Sequence, residues 1–482
     1  MGQLFQPSIE AGPDGSLVEQ GALVMPESTT HTIGVQHITH FNVLQLPGAA
    51  EAALWHNHVQ KLAEGSGHGI PVTISTDPRH SQVENVATAL RSGAFSAWPE
   101  ALGLAALRDP GAVHEFADIA RREYLAVGIR AALHPQVDLA TEPRWARQSA
   151  TFGADAGLTI DYLRAYLEGF QGEALGPDSV ACVTKHFPGG GPQKDGEDPH
   201  FPYGREQIYP GGKFDLHLEP FRAAVEAGTA AIMPYYGMPV GLVYRGHEIE
   251  EVGFGYNKQV ITGILRDEFG YDGAVVTDWQ LVSDVLIGGQ HLPARAWGVE
   301  RLDRPTRIRK ILDAGCDQLG GETCTDVLLD LVRGGQVPEE RLDESLTRLL
   351  TVKFELGLFD NPYVDVDHAA ESVGTPEAVR AGMEAQTASV VILRRPEAHT
   401  WPRMVYVEGM EPEAFDGLAA VVDDPADADA AIVRLAAPFE PRSDFALEPF
   451  FHAGSLEFSD DVVSRLADLS AQAPLIVDVT LD

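Results

Sequence analysis

Short apolar runs alternate with stretches of helical periodicity from about residue 21 to residue 321, and this alternation constrains the fold more than any other feature of the chain. The runs are GALVMPE (21–27), GIPVTISTD (69–77), GIRAALHPQVD (128–138), SVACVTKHF (179–187), TAAIMPYYG (229–237), GAVVTDW (273–279) and GCDQLGG (315–321). They are nearly continuous in apolar residues, as parallel strands covered on both faces require. Between them lie amphipathic segments such as AVHEFADIARREYLAVG (112–128) and KQVITGILRDEFG (258–270), each stopped by a glycine. Strand–helix alternation over roughly 300 residues fits a (β/α)8 TIM-like barrel, which needs about 250. A doubly wound sheet is the competitor. Polar residues at successive strand ends (Asp77, Asp138, Lys185-His186, Tyr235-Tyr236, Asp278) favour the barrel, because there those ends converge on one face.

The length of 482 residues exceeds one ordinary core and calls for a second domain. PEERLDESLTRLLTVKFELGLFDNPYVD (338–365) begins as a helix and passes into an extended segment that reads as a domain exit. The pattern restarts near Thr387 with TASVVILRR, RMVYVEG and DAAIVRL. The expected division is a catalytic barrel over 1–360, a linker over 361–386 and an α/β layer over 387–482. The closing strand APLIVDVTLD has nothing after it to cover it, so the second domain is expected to lack its C-terminal part.

A formal net charge of −36 sets the chain against phosphate backbones and anionic membranes, so neither nucleic acid nor membrane is an expected partner. The three cysteines show no C-x-x-C spacing, which indicates neither a disulfide framework nor a zinc site. No apolar run approaches the ~20 residues of a membrane span. The start MGQLFQPSIEAG lacks the basic and apolar regions of a signal peptide, so the expectation is a cytoplasmic protein. Nothing in the composition calls for a cofactor or metal, and homo-oligomerisation stays open.

Asp278 ends a strongly apolar strand and precedes Trp279. It reads either as a cap for the next helix or as a carboxylate nucleophile beside an aromatic wall for a sugar ring. Lys185 and His186 sit at another strand end and can donate hydrogen bonds to vicinal hydroxyls; Asp77, at a third, can accept them. Arg144 and Arg147 belong either to the site or to its rim.

The segments EPRWARQSATFGAD, KHFPGGGPQKDGED, TAAIMPYYG, GYDGAVVTDWQ and RLDESLTRLLTVKFELGLFDNPYVD occur in one order in which the chain resembles glycoside hydrolase family 3. That resemblance implies a (β/α)8-like barrel followed by an α/β sandwich domain, and a retaining exo-acting β-glycosidase releasing terminal glucosyl or xylosyl residues from β-glucosides and short β-glucans. It implies Asp278 as nucleophile and Trp279 as a wall of the sugar subsite. Asp77, Arg147, Lys185 and His186 match sugar-binding positions, and Met233 and Tyr236 match a Met and a Tyr close to the nucleophile. The glycines after His186 are expected to let the loop fold back over the pocket, with Asp195, Glu197 and Asp198 as loop structure or rim. Glu440, in APFEPRSDF, is the first choice for acid/base, and Glu448, in ALEPFFHAG, the second.

A β-N-acetylhexosaminidase, with His200 of the DPH sequence as proton donor, is the runner-up. A catalytically impaired sugar-binding protein and a phosphate-handling barrel enzyme are readings of other classes.

Overall fold

A computed structural model describes residues 1–19, 27–81, 93–287, 289–393 and 401–481. The first apolar run, 21–27, lies outside these residues except for Glu27. The strand that opens the barrel comes earlier. Residues 5–10 are extended as β1 (Phe5–Gln6) and β2 (Ser8–Glu10), divided at Pro7. In chain order there follow β3 (His40–Gln45), β4 (Thr73–Thr76), β5 (Ile129–Ala132), β6 (Ala181–Phe187), β7 (Ala231–Pro234), β8 (Ala274–Trp279) and β9 (Gln318–Gly320). All their pairings are parallel, in the order β1-β9-β8-β7-β6-β5-β4-β3-β2. Because β1 and β2 are one passage of chain, the ring closes: Phe5 pairs with Leu319, and Ser8 pairs with Asn42. The barrel expectation holds.

The N-terminal strand and β3 were not among the expected runs, and the reason is chemical. Pro7 cannot donate to a ladder and interrupts the apolar signal. In HFNVLQ, the polar His40 and Asn42 break the run, although both are buried.

Helices of the predicted amphipathic type cover the ring, among them Ala49–Glu64, Pro110–Ala126, Ala156–Gln171 and Glu339–Glu355. Asp109 caps Pro110–Ala126 by accepting from Gly111 N at 2.9 Å, with Pro110 pre-set for the first turn. Inside the barrel, Leu133, Val183, Met233 and Val276 form a packed plug, with Trp279 against it.

The N-terminal face of the barrel is tied by charge. Asp317, fully buried just before β9, accepts from Val275 N at 2.9 Å, Arg266 Nη2 at 2.7 Å, Ser345 Oγ at 2.8 Å and Arg348 Nη1 at 3.1 Å. Lys353 is fully buried; its Nζ donates to Thr39 O at 3.0 Å and to Pro71 O and Thr73 Oγ1 at 2.8 Å, and burial lowers its pKa well below the usual lysine value.

Residues 361–386, expected as a linker, are part of the first unit. They carry the helix Val366–Ser372 and most of the helix Pro376–Ala388, whose Ala369 and Ala378 are buried in the main core. Val364 exchanges two backbone hydrogen bonds with the side chain of Asn57, and Gly374 N donates to Glu123 Oε1 at 2.9 Å. Short alanine-rich helices of this kind gave no apolar stripe strong enough to announce a core contact.

The first compact unit is Met1–Val390 together with Ser443–Phe451, and the second is Val391–Arg442 with His452–Asp482. The second unit holds a parallel four-stranded sheet: β10 (Met404–Glu408), β11 (Ala420–Val421), β12 (Ala430–Ala436) and β13 (Leu475–Thr480), in the order β11-β10-β12-β13. Among the described residues no helix is long and apolar enough to cross a membrane.

The Asp317 cluster yields a stability prediction. Asp317→Ala would leave Arg266 and Arg348 without their buried acceptor, and loss of one partner in such a network costs about 3–5 kcal/mol. Denaturant unfolding of the two proteins should show a loss of that size. A loss below about 1 kcal/mol would mean that the arginines find water instead.

Candidate active site

Three strand ends bring their polar side chains together at the C-terminal face of the barrel. Asp77 follows β4 and Lys185 lies on β6; Lys185 Nζ and Asp77 Oδ1 are 2.6 Å apart, and both residues are buried. Asn42 Nδ2 on β3 lies 3.3 Å from Asp77 Oδ2. The pairing keeps two charged groups in a dry site, where either alone would be costly.

His186, the next residue on β6, is held by Asp138. Its Nδ1 is 2.8 Å from Asp138 Oδ2, and its backbone N donates to Asp138 Oδ1 at 3.2 Å. Gly190 N donates to the same oxygen at 2.5 Å. On the other side of the ring, Nε2 lies 3.3 Å from Arg147 Nη2, which also donates to Gln136 Oε1 at 3.1 Å. Burial, and then the charge of Arg147, push the His186 pKa well below the usual histidine range, so the ring is neutral. Burial pushes the Asp138 carboxyl up to about 6, against the opposing pull of Gly190 N–H and Arg147.

Asp278 sits on β8 with its Oδ2 3.9 Å from His186 Nε2. Its Oδ1 accepts from Trp279 N at 2.8 Å. Oδ2 is buried and has no hydrogen-bond partner among the described residues. Trp279 N also lies 2.9 Å from Tyr236 Oη, and burial, reinforced by the charge of Asp278, raises the Tyr236 pKa well above the usual phenol range. The Trp279 indole is half-buried, with Nε1 3.3 Å from Ser8 Oγ on the closing strand. Arg295 is buried with its guanidinium carbon 5.8 Å from the centre of the Tyr236 ring, and Nη1 donates to Gln280 Oε1 at 2.7 Å.

Of the residues read from sequence, Asp77, Arg147, Lys185, His186, Tyr236, Asp278 and Trp279 meet at this face. Met233 lies beneath them in the apolar plug and forms the floor. Arg144 stands at the rim, half exposed, paired with Glu142 at 2.8 Å and Asp195 at 3.5 Å. Asp198 is not rim: it is buried, and its Oδ1 lies 2.5 Å from His200 Nδ1. The His200 ring packs 4.7 Å from Tyr236 and 4.5 Å from Phe451.

The glycines after His186 let the loop pack closely against its neighbours. A Cβ at Gly191 would stand 1.6 Å from Leu139 O, and one at Gly190 would stand 2.9 Å from the Tyr235 ring. They let the loop press its backbone onto the end of the neighbouring strand passage, which is how Gly190 N reaches Asp138.

The segment Ser443–Phe451 belongs to this unit and docks through Phe445, Leu447 and Phe451 against Phe201, Ile287 and Leu292. It carries Glu448, buried, with Oε1 accepting from Tyr203 Oη at 2.7 Å and Oε2 from Phe445 N at 3.0 Å. Glu440 is exposed in the second unit, where its N donates to Ala453 O at 2.9 Å.

Four residues of the site had no assigned role: Asn42, Gln136, Asp138 and Arg295. Asp138 and Gln136 were within reach, since HPQVD follows an apolar run as KHF does. Asn42 lies on the unrecognised strand, and Arg295 on an irregular loop with no periodic signal.

Residues 22–352 match the family described as the glycosyl hydrolase family 3 N-terminal domain. The chain is 49% identical over its whole length to a probable β-glucosidase C of Aspergillus flavus, covering 76% of that protein. It is 38% identical, over 90% of the chain, to a periplasmic β-glucosidase/β-xylosidase of Dickeya chrysanthemi, covering 69% of it. A solved β-glucoside phosphorylase bound to 2FGlc shares the fold with a TM-score of 0.73 at 18% identity, over 99% of this chain and 85% of that one.

The close approach at Gly191 is testable without substrate. Gly191→Ala should destabilise the protein by upwards of about 2 kcal/mol, as overpacking against backbone does. Gly176→Ala, at a glycine where a Cβ meets nothing within 4 Å, should change stability by less than about 1 kcal/mol. Thermal unfolding of the pair decides; equal effects would show that the loop yields freely.

Proposed function

The chain belongs to glycosyl hydrolase family 3 and is a glycosidase; from that premise we propose that it is a retaining, exo-acting β-glucosidase that also accepts β-xylosides. The observation that carries the reading is Asp278, whose buried Oδ2 has no partner among the described residues and faces His186 and Arg147 across the site. A carboxylate so placed is free to attack an anomeric carbon. The names of the similar fungal and Dickeya proteins support the glucosyl and xylosyl specificity.

In this reading the terminal sugar lies with its apolar face on Trp279 and its hydroxyls on Asp77, Lys185, His186 and Arg147. Asp278 forms a bond to the anomeric carbon while the aglycone leaves with a proton from a carboxylic acid. The same acid, now a carboxylate, then draws a proton from the water that releases the sugar with retained configuration. Glu440 is the proposed acid/base. Glu448 is less suited, because both its oxygens already accept hydrogen bonds that fix the 443–451 turn.

A second reading has its own observation. The buried Asp198–His200 pair at 2.5 Å is the arrangement that an Asp–His proton donor of a β-N-acetylhexosaminidase needs. In that case His200, not a glutamate, supplies the proton.

Asp278→Asn should abolish turnover of p-nitrophenyl β-glucoside while leaving the fold intact, and a 2-fluoroglucoside should label the peptide that contains Asp278 and Trp279. Labelling elsewhere, or near-normal activity of the variant, overturns the assignment. Turnover that requires inorganic phosphate would make the enzyme a phosphorylase instead.

The donor is found by leaving-group dependence, since activated phenols depart without a proton. Glu440→Ala should lose most activity on disaccharides, keep much more on dinitrophenyl β-glucoside, and be partly rescued there by azide. The same pattern in Glu448→Ala moves the role to Glu448. In His200→Ala, with release from the N-acetylglucosaminide, it establishes the second reading.

A further inference from the structure

His186 was expected to donate to sugar hydroxyls, but its surroundings require the opposite polarity. Asp138 is fully buried after β5, and it contacts both the ring and the backbone of His186. Its Oδ2 lies 2.8 Å from Nδ1, and its Oδ1 takes the N–H groups of His186 and Gly190. Above the raised Asp138 pKa of about 6 the carboxylate is ionised and has no proton to give, so Nδ1 carries the hydrogen and Nε2 keeps a lone pair. At 3.3 Å from Nε2 stands Arg147 Nη2, which can only donate. Two separate neighbours therefore demand the same tautomer.

We propose that Asp138 is a positioning residue for the glycosidase reaction: it locks His186 as the Nδ1–H tautomer and makes Nε2 an acceptor beside the nucleophile Asp278, 3.9 Å away. The proposal rests on the reading of Asp278 as nucleophile and His186 as a hydroxyl contact. With Nε2 as acceptor, a sugar hydroxyl donates a hydrogen bond to the ring in place of Arg147 Nη2, in a contact able to strengthen as charge develops at the anomeric centre. The other tautomer would aim N–H at Asp278 and at the Arg147 guanidinium. It would blunt the carboxylate and set two donors against each other.

Asp138→Asn isolates this effect because it barely changes volume. The single amide oxygen can still accept from His186 N and Gly190 N, while the NH2 group then faces Nδ1. A donor there forces Nδ1 to accept and moves the hydrogen to Nε2.

The test uses the full chain and p-nitrophenyl β-glucoside. Asp138→Asn should lower kcat by about a hundredfold or more with little change in KM, as losing the carboxylate behind a site histidine does elsewhere. In a His186→Ala background the same substitution should cost nothing further, because its effect runs through the ring. In 15N-histidine spectra, the His186 signals, assigned by their loss in His186→Ala, should show Nδ1–H in the wild type and Nε2–H in Asp138→Asn. Equal losses in both backgrounds would make Asp138 merely structural and overturn the proposal. So would a wild-type His186 protonated on Nε2, a result that needs no folded variant. A wild type that turns over no β-glycoside would fail the functional reading, while the nitrogen spectrum would still decide the tautomer.

Discussion

Residues 5–10 pair with β9 on one side and with β3 on the other, and this closure is the constraint from which the first unit follows. An open parallel sheet would spread its strand ends along a line. A closed one brings them round a single mouth, so Asp77, Lys185, His186 and Asp278 become neighbours although they lie up to about 200 positions apart in sequence. Closure also places Ser8 beside the Trp279 indole, so the segment that completes the ring touches the site directly. At the opposite face, Asp317 and Lys353 gather backbone and side-chain groups from distant segments and fix the strand starts. One end of the barrel is specified for rigidity, and the other for chemistry.

The charged groups at the centre of the site are buried and held in pairs. Lys185 and Asp77 neutralise each other, Asp138 holds His186, and Tyr236 stays a neutral phenol beside Asp278. The desolvation cost of such a cluster is tolerable only when the hydrogen bonds are made. Oδ2 of Asp278 has no hydrogen-bond partner among the described residues, and neither do Asn42 Oδ1, Gln136 Nε2, Asp198 Oδ2 and Arg295 Nε around it. Buried polar groups left unsatisfied together at one face mark a place where a polar ligand can supply the missing hydrogen bonds. The glycines next to His186 serve the same network, by allowing a backbone N–H to reach Asp138 where a side chain would block it.

The loops above the barrel mouth have a small core of their own. Phe201, Ile287, Leu292, Leu447 and Phe451 bring together the loop after β6, the hairpin Val285–Ile287 with Gln290–Leu292, and Ser443–Phe451. This chain excursion out of the second unit and back packs with the first because its aromatic residues find apolar partners there. Glu448 is buried by that packing. Its two hydrogen bonds mark it as a residue that shapes the turn, although its sequence context made it the second choice for proton donor.

The sequence by itself determined the barrel class, six of its strands and the side chains that end them. Continuous apolar runs and glycine-stopped helices are local signals, and a polar residue ending a buried run stands out without any structure. Asp77, Lys185, His186, Tyr236 and Asp278 were legible for that reason. The tertiary structure alone decided the rest. β1, β2 and β3 are strands because their neighbours hydrogen-bond to them, and proline, histidine and asparagine hide that from any periodicity. Residues 361–386 are held to the first unit because Asn57 and Glu123 bond the backbone beside their helices, at Val364 and Gly374, and not because their own apolar content requires it. Asp138 was visible as a strand end but mute as to role, since what it does depends on the ring nitrogen facing it from 48 positions away. Which hydrogen-bond partner a buried group meets is a property of distance in space, and a residue type carries only the capacity to donate or accept.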